Sequence, residues 1–286
     1  MKNIMLYIAP FFASLAISLV LTPVVRRLAV KYKFVSFPKQ DRWRRRVVAS
    51  LGGVAIFLGF MSPYLILSRH NLVFAGFVFG GLGIFWLGFV DDIVTIKPDT
   101  KLIGQIVVSC IVVTSGVRFN ISPNPLINVP LTIFWMIGVI NAFNLLDNMD
   151  GLCAGIASIS ALMLCIHSIV SDNSQLLLIS LLILGSALGF LRYNFHPAKI
   201  FMGDCGSMFL GYALAAGTLI GSRTEKSSLV ITMAIPAMVL AVPIFDTILV
   251  TLTRGLNNRP ISQGGKDHTS HRLVSLGLSE KNAVLL

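Results

Sequence analysis

Residues 72–92 read LVFAGFVFGGLGIFWLGFVDD: nineteen residues without a charge, then two adjacent aspartates. About 20 consecutive apolar residues cross a bilayer core. Leu72–Val90 therefore predicts a membrane-spanning helix that delivers Asp91 and Asp92 to a membrane surface. The pattern recurs along the chain. Apolar runs at Ile4–Val25, Val47–Leu67, Leu102–Val117, Val129–Leu146, Leu152–Val170, Leu176–Leu191, Cys205–Ile220 and Leu229–Leu252 complete a predicted all-α, polytopic membrane helix bundle of nine spans. Asn282–Leu286 reads as the start of a tenth.

Composition agrees with that class. Of 286 residues, 55% are hydrophobic and 12% charged, with mean hydropathy +0.82. Soluble proteins carry roughly 25% charged residues, and so few charges cannot cover a solvated surface. Nine spans use roughly 180 residues at ~20 each, which leaves no room for a soluble domain, so residues 1–286 are expected to form a single integral membrane domain. The four cysteines show neither a CxxC pair nor metal-ligand spacing and read as packing thiols.

A net charge of +11 raises nucleic acid as a partner, but the placement of the charges argues against it. Eighteen of the 23 Lys and Arg fall in one set of alternate loops: 26–46, 97–101, 192–199 and 254–281. Cytoplasmic loops are enriched in Lys and Arg, so those loops are expected at the cytoplasmic face of the plasma membrane, with the N-terminus outside. Nine of the twelve acids fall on the same face, and Asp246 lies just inside the membrane near it. A carrier would place its key ionisable residues near mid-membrane; here they gather at one interface, as chemistry on a lipid headgroup and a water-soluble substrate would require.

Four constellations carry that chemistry. Asp91 and Asp92 repel each other and call for a cation, either Lys97 and Lys101 or a metal. Asn141, Asn144 and Asn148 share an arc of ~60° at the end of a helix, with Asp147 flanking it and Asp150-Gly151 following. An arc of amides facing lipid is costly, so it reads as a ligand-binding face or an interhelical hydrogen-bonding one. Asn194 through Ser207, with Lys199 and Gly203-Asp204-Cys-Gly206-Ser207, opens an apolar helix with free N–H groups and a carboxylate, a seat for an anion or a metal–phosphate. The last basic loop holds Arg259, Lys266, Asp267, His268, His271 and Arg272, donors suited to a diphosphate. Asp246, about 9 Å inside its span at 1.5 Å per residue, must pair with something, and the partner is not readable. Carboxylates and phosphate-binding cations in one cleft point to a bridging divalent ion with oxygen ligands, Mg²⁺ or Mn²⁺.

On these motifs the chain resembles the polyprenyl-phosphate N-acetylhexosamine-1-phosphate transferases, in the branch of the bacterial undecaprenyl-phosphate GlcNAc-1-phosphate enzymes. The matching residues are Leu51-Gly52-Gly53, Val90-Asp91-Asp92 with Lys101, Asn141 through Leu152, Asn194 through Gly211, and Arg259 with His268 through Leu273. The resemblance implies a Mg²⁺ held by Asp204 with Asn144, and Asp91 and Asp92 at the reacting phosphates. Lys101, Lys199, Arg259, His268, His271 and Arg272 would grip the diphosphate and sugar, while Asn141, Asp147 and Asp150 line the substrate. A polyprenyl phosphate would attack the β-phosphorus of a UDP-N-acetylhexosamine and expel UMP, with Asp91 as proton acceptor; a covalent aspartyl intermediate is the alternative route. The resemblance allows a homodimer and implies one or two further C-terminal spans. His268-x-x-His271-Arg272 matches the GlcNAc branch rather than the triple-His branch that uses UDP-MurNAc-pentapeptide. Ser270 and Ala49-Ser50 depart from the GlcNAc pattern and leave another N-acetylated sugar open. A cation-coupled carrier or an inactive homologue is the alternative of another class.

Overall fold

The computed structural model describes residues 4–36, 47–68, 70–221, 229–257 and 267–286. Among these described residues, ten helices build the bundle: α1 (Ile4–Lys31), α2 (Gly53–Leu67), α3 (Leu72–Val94), α4 (Pro98–Thr114), α5 (Pro125–Leu146), α6 (Leu152–Val170), α7 (Ser174–Asn194), α8 (Asp204–Gly221), α9 (Leu229–Val239) and α10 (Ala241–Leu256). Two short ones follow, α11 (Thr269–Ser275) and α12 (Glu280–Leu285).

The helical membrane-type architecture matches the expectation, but the span count differs in detail. Among the described residues, five helices are long and apolar enough to cross a bilayer: those at 8–31, 72–94, 125–146, 152–170 and 174–194. The expected second span is shortened because its first residues form β2 (Val48–Ala49), which pairs antiparallel with β1 (Val35–Ser36). Among the described residues, these strands, with a parallel bridge from Ala49 to Ile200, depart from the expected all-helical chain. The expected ninth span bends at Leu240, between α9 and α10. Pro243 has no N–H to donate to the carbonyl four residues back. Ser160 Oγ of α6 donates to that Val239 carbonyl instead, at 3.0 Å.

At the centre lies α8, with every residue from Cys205 to Gly221 buried. The expected span Cys205–Ile220 coincides with it, and its many small residues suit a helix surrounded by protein. Lipid offers no hydrophobic drive between helices, so close backbone approach and hydrogen bonds hold them. Helices α2 and α8 meet where a Cβ on Gly53 would stand 2.2 Å from the Gly206 nitrogen. On the opposite flank, Ser14 Oγ and Ser18 Oγ of α1 donate to the Leu182 and Ser186 carbonyls of α7 at 2.7 and 2.8 Å. Aromatic residues fill the gap between α2, α3 and α8, where Phe57 stacks on Phe85 with centroids 4.1 Å apart. The outer surface exposes Phe79, Trp86, Phe134, Met163, Ile166, Phe245 and Ile248, an apolar coat suited to lipid.

Gly53→Ala is expected to destabilise the bundle by about 1–3 kcal/mol, because the clash is with backbone and cannot be relieved by a rotamer change. Thermal unfolding of the detergent-solubilised protein would measure it.

Candidate active site

One end of the bundle collects most of the polar side chains singled out in the sequence. Its floor is laid by backbone pairing. Phe201 N–H donates to the Ala49 carbonyl, and Gly52 and Gly53 N–H donate to the Phe201 and Met202 carbonyls, at 2.8–2.9 Å. This fastens the α7–α8 connection to the start of α2. Asn194 braces the same connection from inside: Oδ1 accepts from Gly151 N–H at 3.1 Å and Nδ2 donates to the Ile200 carbonyl at 3.0 Å. Asp150 accepts from Ala198 N–H at 3.0 Å and lies 3.5 Å from His196 Nδ1.

Both oxygens of Asp92 are taken up by α8. Oδ1 accepts from Asp204 N–H at 2.8 Å and Oδ2 from Cys205 N–H at 3.0 Å. The carboxylate thus caps the N-terminus of the central helix from a neighbouring helix, where the dipole also favours a negative charge. Gly203 makes the approach possible: its φ is +76°, and a Cβ there would stand 2.6 Å from Asp92 Oδ2.

Asp91, one residue earlier on α3, faces a different partner. Oδ1 accepts from Ile96 N–H at 2.5 Å, and Oδ2 accepts from Lys101 Nζ at 2.8 Å. The same ammonium bonds Asp204 Oδ2 and, at 3.2 Å, Asn144 Oδ1. Asn144 is oriented by Ser207 Oγ, which accepts from its Nδ2 at 3.0 Å. Three elements, α3, α5 and α8, therefore aim two carboxylates and one amide oxygen at a single cation carried by a fourth, α4. Lys101 sits in the first turn of α4, before the apolar run that starts at Leu102. Burial works against its charge, but Asp204 and Asp91 outweigh it and hold the ammonium above the ordinary lysine range.

The same three oxygens bear on metal binding. Among the described residues, no group of three or more His, Cys, Asp or Glu is arranged as a metal site. Two carboxylates and a side-chain amide are nevertheless the hard-oxygen set that Mg²⁺ accepts, with water or phosphate completing the shell. The residues fit such an ion at the place where Lys101 Nζ converges with them.

The remaining sequence candidates are distributed as follows. Asn141 pairs with Gln105 of α4 through both amides, at 2.8 and 3.2 Å. Asp147 ends α5, half-buried. Asn148 Oδ1 accepts from Ser270 Oγ at 3.0 Å, which joins the last loop to the α5 end. His268 and His271 are buried, Arg272 is exposed with Nε donating to the Asp267 carbonyl at 3.0 Å, and Lys199 is exposed. Arg259 lies outside the described residues. Sequence reasoning passed over Gln105, four residues and one helical turn beyond Lys101 on the same face. It also passed over Arg254, buried with Nε 3.0 Å from Asp267 Oδ2.

An apolar-surfaced helical bundle with several helices long enough to cross a bilayer and a charged cluster at one end is the architecture of a membrane protein. The description "glycosyl transferase family 4" fits by family model over residues 74–222, a stretch that contains Asp91, Asp92, Lys101, Asn144 and Asp204. A probable undecaprenyl-phosphate N-acetylglucosaminyl 1-phosphate transferase of Bacillus subtilis (strain 168) is 35% identical over 98% of this chain and 80% of its own length. A decaprenyl-phosphate N-acetylglucosaminephosphotransferase of Mycolicibacterium smegmatis is 32% identical over 92% of this chain and 74% of its own length. A phospho-N-acetylmuramoyl-pentapeptide-transferase of Thermoanaerobacter sp. (strain X514) is 27% identical over 99% and 93%. The chain belongs to glycosyl transferase family 4 and is a transferase.

Asp92→Ala removes two hydrogen bonds to a charged acceptor, each worth about 1.5–3 kcal/mol. It is expected to lower stability by about 2–4 kcal/mol, well beyond the effect of Asp91→Asn, which keeps an acceptor for Ile96 N–H. Parallel melting curves of the two variants would check the order.

Proposed function

We propose that this chain transfers N-acetylglucosamine-1-phosphate from UDP-GlcNAc to a polyprenyl phosphate and releases UMP. The observation that carries the reading is the convergence of Asp91, Asp204 and Asn144 oxygens on one cation at the end of an apolar-surfaced bundle. That arrangement offers charges of both signs at one end of the bundle, which suits a diphosphate and the phosphate of a lipid. The relatives' names give the donor and acceptor classes.

In this reading an oxygen of the lipid phosphate forms a bond to the β-phosphorus of the donor. The bond from that phosphorus to the bridging oxygen breaks, and UMP leaves with that oxygen. Lys101 moves from Asp91 and Asp204 toward the diphosphate and offsets the charge that builds on it. Asp91 Oδ2, released from Lys101, holds the proton that the attacking phosphate gives up; Oδ1 stays on Ile96 N–H and keeps the carboxylate aligned. Near neutral pH a phosphate monoester is largely dianionic already, its second pKa being about 6, so this proton acceptance matters most below neutrality. Asp204 and Asn144 would hold a Mg²⁺, which when bound would supply positive charge to offset that of the phosphates. Asp92 remains on the α8 N–H groups and acts by placing Asp204. The histidine segment and Arg259 contact the sugar nucleotide, and Asp147 and Asp150 border the nucleotide side.

His268-x-x-His271-Arg272 supports GlcNAc over the MurNAc-pentapeptide donor named for the Thermoanaerobacter relative. The 18 basic residues of one loop set support a plasma-membrane enzyme whose site faces the cytoplasm. A carrier is disfavoured because the polar groups gather at one end of the bundle.

The test is UMP release by purified protein with Mg²⁺, undecaprenyl phosphate and either UDP-GlcNAc or UDP-MurNAc-pentapeptide. Release is expected with UDP-GlcNAc, abolished by chelator, and lowered by about 10²–10³-fold in Asp204→Asn and Asp91→Asn. Absence of UMP with every UDP-N-acetylhexosamine offered would overturn the reading.

A further inference from the structure

Asp246 is 2% exposed in the apolar helix α10. A carboxylate in such a place is costly unless its lone pairs are occupied. Three donors occupy them, all from two consecutive residues more than 20 positions further on. His268 Nδ1 meets Oδ2 at 2.7 Å, and Thr269 N–H and Oγ1–H both meet Oδ1 at 2.7 Å. The neighbouring residues are held as well. Asp267 is bonded by Arg254, two turns further along α10, and Ser270 by Asn148, just past the end of α5. Four successive residues, 267–270, are thus stitched between α10 and the α5 end, one helical turn from Asn144 and its contact with Lys101.

The chemistry of the His268 contact is directional. An ionised carboxylate only accepts hydrogen bonds, so the proton sits on Nδ1, and Nε2 is turned away from Asp246 on the far side of the ring. His271 follows at a ring separation of 6.1 Å, and both rings are buried.

We propose that Asp246 is a positioning residue of the transfer site: it fixes the ring orientation of His268 and pins 268–269 to α10, while the Ser270–Asn148 bond ties the same segment to the end of α5. The inference rests on the GlcNAc-1-phosphate transferase reading for its link to activity, but the pin itself is a structural claim with its own readout. Nothing in Asp246 touches the reacting phosphates; it acts through His268 and Thr269. Asp246→Asn is nearly isosteric and can still accept from Thr269, yet it turns an amide N–H₂ toward His268 Nδ1 and undoes the ring's tautomer.

The experiment uses the full chain in lipid nanodiscs, comparing wild type, Asp246→Asn, His268→Gln, the double variant and Thr269→Val. Asp246→Asn is expected to raise KM for UDP-GlcNAc by about tenfold. Loss of folded molecules alone would lower only the apparent kcat. The double variant is expected to be no worse than the poorer single variant, since both remove one device. By hydrogen exchange, amides 268–275 are expected to lose protection in Asp246→Asn while α3, α5 and α8 keep theirs. Thr269→Val, which leaves α10 intact, is expected to reproduce part of that loss even if Asp246→Asn does not fold. Effects of Asp246→Asn and His268→Gln that multiply, or unchanged protection of 268–275 in both Asp246→Asn and Thr269→Val, would overturn the proposal. If wild type transfers nothing, the functional reading fails, and the exchange data still decide whether Asp246 holds the segment.

Discussion

The first N–H groups of α8 have no partner within their own helix, and α8 is buried from Cys205 to Gly221, with Asp204 at its mouth only partly exposed. Asp92 supplies the missing acceptors for two of them. Much else at this end of the bundle depends on that contact. Asp91 is adjacent to Asp92 on α3, and Asp204 is the first residue of α8, so capping the helix brings two further carboxylates together. Their repulsion is offset by Lys101, delivered by the three-residue turn between α3 and α4. The charge cluster is thus a consequence of burying one helix end, and the pocket inherits its charges from the architecture.

The same rule, that a polar group removed from water must find a partner in the protein, explains the positions of groups with no evident chemical role. Val239 loses its helical donor to Pro243 and takes one from Ser160. Asn194 spends its amide on two backbone groups, and Asp150 holds the loop that leads into Gly203 and Asp204. Asp246 gathers three donors from the last loop. Away from this end the helices rely on serine-to-carbonyl bonds and close glycine contacts, and they show apolar side chains outward. Polar complexity is concentrated where the bundle meets the interface.

Legibility in the sequence followed the range of the interactions concerned. Apolar runs long enough to cross a bilayer stand out because the bilayer acts on each span independently. Where the protein itself shapes a helix the signal weakens: the bend between α9 and α10 is hidden in a continuous apolar run even though Pro236 and Pro243 mark it. Asp91, Asp92, Lys101, Asn144 and Asp204 were all identifiable as unusual polar residues at span ends. Their division of labour was not. Asp91 and Asp92 are indistinguishable as neighbours in sequence, yet one faces Lys101 and the other α8, because 100° of helical rotation separates them.

From the residue order alone came the membrane class, the clustering of acids and bases at one face, and a resemblance that family membership bears out. Tertiary structure decided which carboxylate caps a helix, that Lys101 stands among three oxygens from three other helices, and that Asp246 is answered by His268 and Thr269. The reason is distance along the chain. Hydropathy is summed over neighbouring residues, whereas a hydrogen bond between residues 92 and 204, or 246 and 268, exists only once packing has brought the two together.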